Sequence, residues 1–352
     1  MPKRLYWYFK FLLRLIRAKI RRVPTPLIVV LCVTNKCNLK CWYCYGQHNL
    51  RSDWNDFTTK ELLDIVSSLH NMGMVILQLQ GGEPLLRDDL GVIIKKAKSL
   101  GIMCDMVTNG ILISEKPDVV SLLDKICISL DGPAEINSRN RGGTTFNKTV
   151  EGIKIACNLG IAVRISAVIT ADTSKGDIDW LLNFAKENNI LVNFSPSFDF
   201  LPSLKDSKLK PHNIPDRHLM ELLRHIKKCK ELGEPVQFSS LSYKVALDWP
   251  FSYEKRKAKK WELPADFLHP KCYHGKYIVF IDSDGSLYPC CNFWGDTKFN
   301  VRDVDLRGSI NRLSDNNCAA CYIPAYIDRN CFFSGKAIVW WNYVKQVLKG
   351  II

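Results

Sequence analysis

Six short apolar runs rich in β-branched residues alternate with helix-like segments between residues 27 and 198. No other feature constrains the fold as much. The runs cover 27–34, 75–81, 104–110, 126–132, 163–170 and 191–198. Short and nearly continuous in apolar character, they suit strands buried on both faces. Helical segments are predicted near 58–72, 88–100, 116–124, 146–159, 175–188 and 215–232. Thr58 and Glu61 have capping-box spacing. Gly73, Gly101, Gly160 and Gly233 lie just past four helix ends, where a left-handed residue is often needed. Six βα units imply a parallel sheet with right-handed crossovers and its chemistry at the C-terminal strand ends. Whether that sheet closes into a barrel does not follow from the pattern.

The two ends of the chain differ from this middle. Of the net charge of +14, eight Lys or Arg and no acid fall in residues 1–22, leaving +6 for the rest. Residues 1–22 read as an amphipathic helix stopped by Pro24 and Pro26, with Leu5, Tyr8, Phe9, Leu12, Ile16 and Ile20 on an apolar side. Lys3, Lys10, Arg14, Arg17 and Arg21 recur on another side. With Trp7 and Phe11, this composition fits a helix lying on an anionic membrane surface. It equally fits a helix docked on the protein's own barrel with a solvated basic face. Contact with RNA ranks below both, because the helix keeps a continuous apolar side. Trp340, Trp341, Tyr343, Lys345 and Lys349 give the C-terminal helix, 336–352, a similar character. No run of about 18 apolar residues spans a bilayer. The start does not read as a secretory signal, since Lys10, Arg14, Arg17 and Lys19 interrupt its apolar residues. The expected location is cytoplasmic, with peripheral contact to the cytoplasmic membrane face if the first reading of the helix holds.

Fourteen cysteines in a long chain without a secretory signal suggest reduced thiols and metal ligands rather than disulfides. Cys104, Cys127 and Cys157 sit singly in apolar runs and read as packed thiols. Cys37, Cys41 and Cys44 differ, because they lie within eight residues of the loop after the first strand. Three thiolates so placed can hold a cubic iron–sulfur cluster and leave one iron open to a substrate or cofactor. A zinc site is the alternative, but its usual fourth ligand is not local.

This C-x-x-x-C-x-x-C loop and its place after the first strand resemble the radical S-adenosylmethionine family. Gly81-Gly82-Glu83-Pro84, ending the second strand, matches the family's GGEP motif. The resemblance covers about residues 27–200. It implies an α/β fold, a partial (β/α)6 TIM-like barrel. Cys37, Cys41 and Cys44 would hold a catalytic [4Fe–4S] cluster that binds S-adenosylmethionine. Reductive cleavage would give methionine and a 5′-deoxyadenosyl radical that abstracts a hydrogen atom. The resemblance places Gly81, Gly82, Glu83 and Pro84 at the methionine, with Glu83 accepting from its ammonium, and Tyr43 against the adenine. Asn109, Ser129 and Asp131 would lie along the cofactor, the last two near the ribose or the substrate. It also implies an electron donor such as a flavodoxin or ferredoxin.

After residue 232 the pattern changes. Residues 234–268 read as a linker whose basic stretch, 255–260, is solvated. Residues 277–281 and 286–288 flank an Asp284-Gly285 turn and read as a β-hairpin. Cys272, Cys290, Cys318 and Cys321 resemble the family's SPASM and twitch extensions, closer to the single-cluster twitch form. That resemblance implies a second [4Fe–4S] cluster in a small C-terminal α+β cysteine-rich domain. Zinc suits four thiols as well, and Cys291 and Cys331 stay unassigned. The expected organisation is a basic helix (1–24), a barrel (25–233), a linker (234–268), an auxiliary-cluster domain (269–333) and a terminal helix (334–352). A peptide or protein side chain is the default substrate of this architecture. A lipid or membrane-bound precursor is the alternative that the basic helix favours. The non-enzymatic alternative is a zinc or iron–sulfur protein that binds a partner or transfers electrons.

Overall fold

The computed structural model describes residues 3–44, 46, 55–197, 214–294, 299–303, 305–313 and 318–348, without the side chains of 3–6. The side chains of Lys3 and Leu5, and residues Phe198 and Lys349, lie outside that description. The elements run α1 (Lys3–Arg21), β1 (Ile28–Thr34), α2 (Thr59–Met72), β2 (Ile76–Gly81), α3 (Leu90–Ser99), β3 (Met103–Thr108), α4 (Pro117–Ser121) and β4 (Lys125–Ser129). Then come α5 (Ala134–Arg141), α6 (Phe146–Asn158), β5 (Ala162–Ile169), α7 (Lys175–Glu187), β6 (Leu191–Pro196) and α8 (Asp216–Glu231). The C-terminal part holds α9 (Ser240–Leu247), β7 (Lys257–Lys259), β8 (Ile278–Ile281), β9 (Leu287–Tyr288), α10 (Leu306–Leu313), β10 (Cys318–Cys321), α11 (Pro324–Phe333) and α12 (Ala337–Leu348).

β1 to β6 are parallel neighbours in sequence order, as six βα units require. The Thr58–Glu61 capping box forms in both directions, and all four predicted helix-end glycines have positive φ. Two findings go beyond the sequence pattern. β8 pairs in parallel with β1, from Ile28 with Ile278 to Leu31 with Ile281. The C-terminal hairpin therefore extends the barrel sheet, whose order is β6-β5-β4-β3-β2-β1-β8-β9. The sheet is open, with β6 and β9 at its ends. The stretch 234–268 is also more ordered than a linker. It contains α9, and its basic part forms β7, antiparallel to the cysteine-bearing β10. There Lys257 Nζ sits 3.6 Å from the centre of the Phe293 ring and donates to the Asn292 carbonyl. Lys257 thus finds partners within the protein, whereas Lys259 and Lys260 are exposed as expected.

The strands are not apolar on both faces, as their composition suggested. Val29, Leu31, Val33, Leu77, Leu79, Met106, Ile128 and Ile165 pack under the outer helices. The opposite face carries Gln78, Gln80, Asp105, Cys127, Ser129, Arg164, Ser166, Asn193 and Ser195, all lining an internal cavity. Period-2 alternation places these two sets on opposite faces. Arg164 and Asp105 meet there at 2.5 Å, and Gln78 donates to the same carboxylate.

α1 lies across the N-terminal strand ends. Lys10 donates to the Gly101 carbonyl, and Lys125, first residue of β4, donates to the Tyr8 hydroxyl. Its buried side is Trp7, Phe11, Leu15 and Ala18, packed with Leu27, Tyr277 and Phe333. That corrects the sequence reading of its faces. Phe9, Ile16 and Ile20 are exposed, at 55%, 44% and 75%. The helix thus has two apolar stripes, one docked and one outward. α12 bridges α11 and the segment beside β6. Trp340 stacks on Phe332 at 4.7 Å, while Asn342 and Gln346 both donate to the Gln237 carbonyl. Among the described residues no helix is long and apolar enough to cross a membrane.

Candidate active site

The cysteine loop is fixed from two sides. The Gly82 amide donates to the Thr34 carbonyl and the Glu83 amide to the Lys36 carbonyl, both at 2.8 Å. A Cβ at Gly82 would stand 2.1 Å from the Lys36 oxygen, and one at Gly81 2.3 Å from the Thr34 oxygen. Gly81 also has φ of +141°. The two glycines are therefore required where the end of β2 meets the loop backbone. From the other side, Asn109 Nδ2 donates to Asn38 Oδ1 at 2.7 Å.

Cys37, Cys41 and Cys44 all reach the wall of a cavity of about 800 Å3. Burial pushes the Cys37 thiol up to about 11, and the neighbouring Glu83 and Cys44 add to the rise. Burial pushes Cys41 up to about 12, with Cys44, Asp131 and Cys37 adding to it and Arg141 opposing. Cys37 and Cys41, whose ionisation burial and neighbouring negative charge suppress, suit a metal cluster, whose positive charge reverses that logic. Tyr43, Gly81, Gly82, Asn109 and Ser129 line the same cavity.

Glu83 and Asp131 do not line it. Glu83 is fully buried. Its carboxylate accepts from Thr108 Oγ1 at 2.7 Å, the Asn109 amide at 2.8 Å and the Leu85 amide at 3.1 Å. Burial raises its pKa, and these donors oppose the rise. Three of its roughly four acceptor positions are taken, so it ties the end of β2 to the end of β3. Pro84 is buried in the turn that follows. Asp131 is likewise saturated. It accepts from Arg141 Nη2 at 2.7 Å, the Val168 amide at 3.0 Å, Tyr43 Oη at 2.6 Å and Asn140 Nδ2 at 3.3 Å. Ribose contact at Asp131 or ammonium contact at Glu83 would have to share the carboxylate with these partners. Both carboxylates act on the residues that do face the cavity.

Arg141 was missed in the sequence. It ends α5, a helix not anticipated between β4 and β5. Its guanidinium lies 5.7 Å from the centre of the Tyr43 ring, and its carbonyl lies 3.9 Å from Cys41 Sγ. The signal was present only as the polar Arg139-Asn140-Arg141 run before Gly142-Gly143.

The six C-terminal cysteines fall in three places. Cys272, Cys290, Cys318 and Cys321 line a second, smaller pocket with His269, His274 and Asn330. Burial pushes Cys318 up to about 12, with Cys272 adding to the rise and Lys257 opposing it, and pushes Cys290 well above the ordinary thiol range, with Cys291, Cys272, Cys321 and Cys318 adding to it. Cys291 instead faces the large cavity, where Tyr326 Oη donates to its sulfur at 2.7 Å. Cys331 is buried in α11 and lines neither pocket.

The far end of the large cavity is apolar. Phe9 and Leu12 from α1, Phe332 and Phe333 from α11, and Trp340, Val344, Val347 and Leu348 from α12 form its wall. Phe9, Val344 and Leu348 are 55%, 40% and 77% exposed, so the cavity reaches the surface between the terminal helices.

Residues 31–185 match the Radical SAM superfamily. A GTP 3′,8-cyclase of Clostridium perfringens is 29% identical over 230 residues, 61% of this chain and 68% of that one. A probable GTP 3′,8-cyclase of Archaeoglobus fulgidus is 33% identical over 48% of this chain, which spans 57% of the relative's length. Among solved structures, Streptococcus suis SuiB bound to S-adenosylmethionine superposes with a TM-score of 0.63 at 21% identity, covering 86% of this chain and 69% of SuiB. The anSMEcpe structure with bound AdoMet gives 0.61 at 18%, covering 90% and 99%. These two likenesses bear on the fold, a partial TIM-like barrel with a cysteine-rich C-terminal part.

Proposed function

We propose that the chain is a radical SAM enzyme that abstracts a hydrogen atom from a lipid whose chain occupies the cavity between the sheet and the terminal helices. Enzymes of this superfamily use a [4Fe–4S] cluster and S-adenosylmethionine, whose reductive cleavage supplies a 5′-deoxyadenosyl radical. Cys37, Cys41 and Cys44 would hold the cluster. Gly81, Gly82, Tyr43, Asn109 and Ser129 would line the cofactor, with Glu83 and Asp131 positioning them from behind. Cys272, Cys290, Cys318 and Cys321 would hold an auxiliary cluster.

One observation carries the choice of substrate. The apolar half of the cavity is built by α1, α11 and α12, which lie outside the matched residues 31–185. A peptide or protein side chain, the default for this architecture, does not call for so long an apolar wall. The wall ends between the exposed stripes of Phe9, Ile16 and Ile20 on α1 and Ile338, Trp341 and Leu348 on α12. With Arg14, Arg17, Lys19 and Arg21 beside them, these stripes suit the surface of an anionic membrane. A lipid could then enter from the bilayer while its reacting carbon reaches the cysteine loop.

The test uses anaerobically reconstituted enzyme with vesicles of perdeuterated phosphatidylglycerol or with perdeuterated peptide mixtures. Deuterium in 5′-deoxyadenosine from the vesicles supports the lipid reading. Deuterium only from the peptides replaces it with the default.

A further inference from the structure

The charges lining the large cavity do not balance. Four cations reach it, Lys125, Arg141, Arg164 and Arg329, against one carboxylate, Asp105. Arg141 is paired with Asp131 at 2.7 Å and Arg164 with Asp105 at 2.5 Å. The remaining two have no carboxylate partner among the described residues. Lys125 meets only the Tyr8 hydroxyl, at 2.9 Å, and the face of its ring. Arg329, on α11, makes no ion pair or hydrogen bond among the described residues. The adjacent Asp328 turns away from it: one carboxylate oxygen accepts from the Ser239 amide and from the hydroxyls of Ser239 and Ser242. Arg329 shares the cavity wall with the apolar Ile323, Phe280, Phe332 and Phe333, and the uncharged His274, Cys291 and Tyr343 lie within reach of its charge.

A half-buried guanidinium in such a wall lacks the water and the counter-charge that usually stabilise it. Its planar fork matches a carboxylate or phosphate in bidentate fashion. We infer that the cavity takes an anionic amphiphile, with a phosphate or carboxylate held by Arg329 and its chain along the wall of α1 and α12. Lys125, at the floor of the barrel, adds to the positive potential. This rests on the lipid reading above and narrows it from lipids in general to anionic ones. Arg329 belongs to the C-terminal extension, whereas every segment placed at S-adenosylmethionine lies at the β1 to β4 strand ends, so this anion site is separate from the cofactor segments.

Calorimetric titration of the reconstituted holoenzyme tests this with dodecyl phosphate, dodecanoate, dodecanol, dodecyltrimethylammonium and inorganic phosphate. The two anionic chains are expected to bind about tenfold or more tightly than dodecanol, as a charge-assisted pair implies. Arg329→Gln removes that preference and leaves dodecanol affinity unchanged, while Arg329→Lys keeps part of it. Equal affinity of dodecanol and dodecyl phosphate overturns the anion pairing but leaves the lipid reading standing. No binding by any dodecyl compound removes the lipid reading itself. Inorganic phosphate binding as tightly as dodecyl phosphate keeps the anion site and removes the chain. A loss of S-adenosylmethionine affinity in Arg329→Gln assigns the residue to the cofactor and overturns the inference.

Discussion

Asp131 offers the sharpest separation between a cofactor ligand and a structural hub. Its side chain is fully buried and that of Arg141 is 7% exposed. Asp131→Asn preserves shape but removes the counter-charge of Arg141. It also sets an amide donor against the existing donors from Tyr43, Arg141, Asn140 and the Val168 amide. Breaking a buried pair from one side costs about 3–5 kcal/mol, because the partner's charge is left uncompensated. That is a large share of the roughly 5–15 kcal/mol that holds a typical domain folded. Urea unfolding of the metal-free protein, followed by far-ultraviolet circular dichroism, reads the loss. The double variant Asp131→Asn/Arg141→Gln should recover part of it, since neither charge then remains. A loss below about 1 kcal/mol, with a raised KM for S-adenosylmethionine, would refute the hub and return Asp131 to the cofactor.

Gly82→Ala places a Cβ 2.1 Å from the Lys36 oxygen and must shift the cysteine loop; 5′-deoxyadenosine formation should fall on the order of a hundredfold, as an ångström-scale misplacement implies. Wild-type turnover in that variant would show that the loop position is not held there. Cys318→Ala should lower iron content while some cofactor cleavage persists; unchanged iron means the second ligand set is wrong. Glu61 is pulled down to about 2 by its hydrogen bond from Arg302, then by those from Thr58. A carboxyl depressed on folding stabilises above its unfolded value, so this contribution is complete above about pH 4.5 and lost as pH falls toward 2. Acid unfolding of Glu61→Gln should be flatter across that window, and an identical profile would remove the contribution.

What the sequence revealed was local, and what it concealed was long-range. The capping box, the helix-end glycines and the cysteine loop each depend on residues a few positions apart, so spacing was enough. The pairing of β8 with β1 joins residues about 250 positions apart, and no periodicity announces it. The polar inner face was written in the alternation Ile76-Leu77-Gln78-Leu79-Gln80, but overall apolarity of the strands masked it. The docked face of α1 was misjudged because both stripes are apolar, and only the barrel floor decides between them. Gly81-Gly82-Glu83 and Asp131-Gly132 were legible as the ends of the second and fourth strands. Their partners were not legible, because Thr108 and Tyr43 come from other parts of the chain and Arg141 from α5, a helix the pattern did not announce.

The most direct measurement is 5′-deoxyadenosine formation after anaerobic reconstitution with iron and sulfide and reduction in the presence of S-adenosylmethionine and phosphatidylglycerol vesicles. Wild-type protein should form it, and Cys41→Ala should form none and lack the first cluster. Formation at the wild-type rate by Cys41→Ala, or none by wild-type protein with intact clusters, would contradict the assignment of Cys37, Cys41 and Cys44 as the catalytic centre.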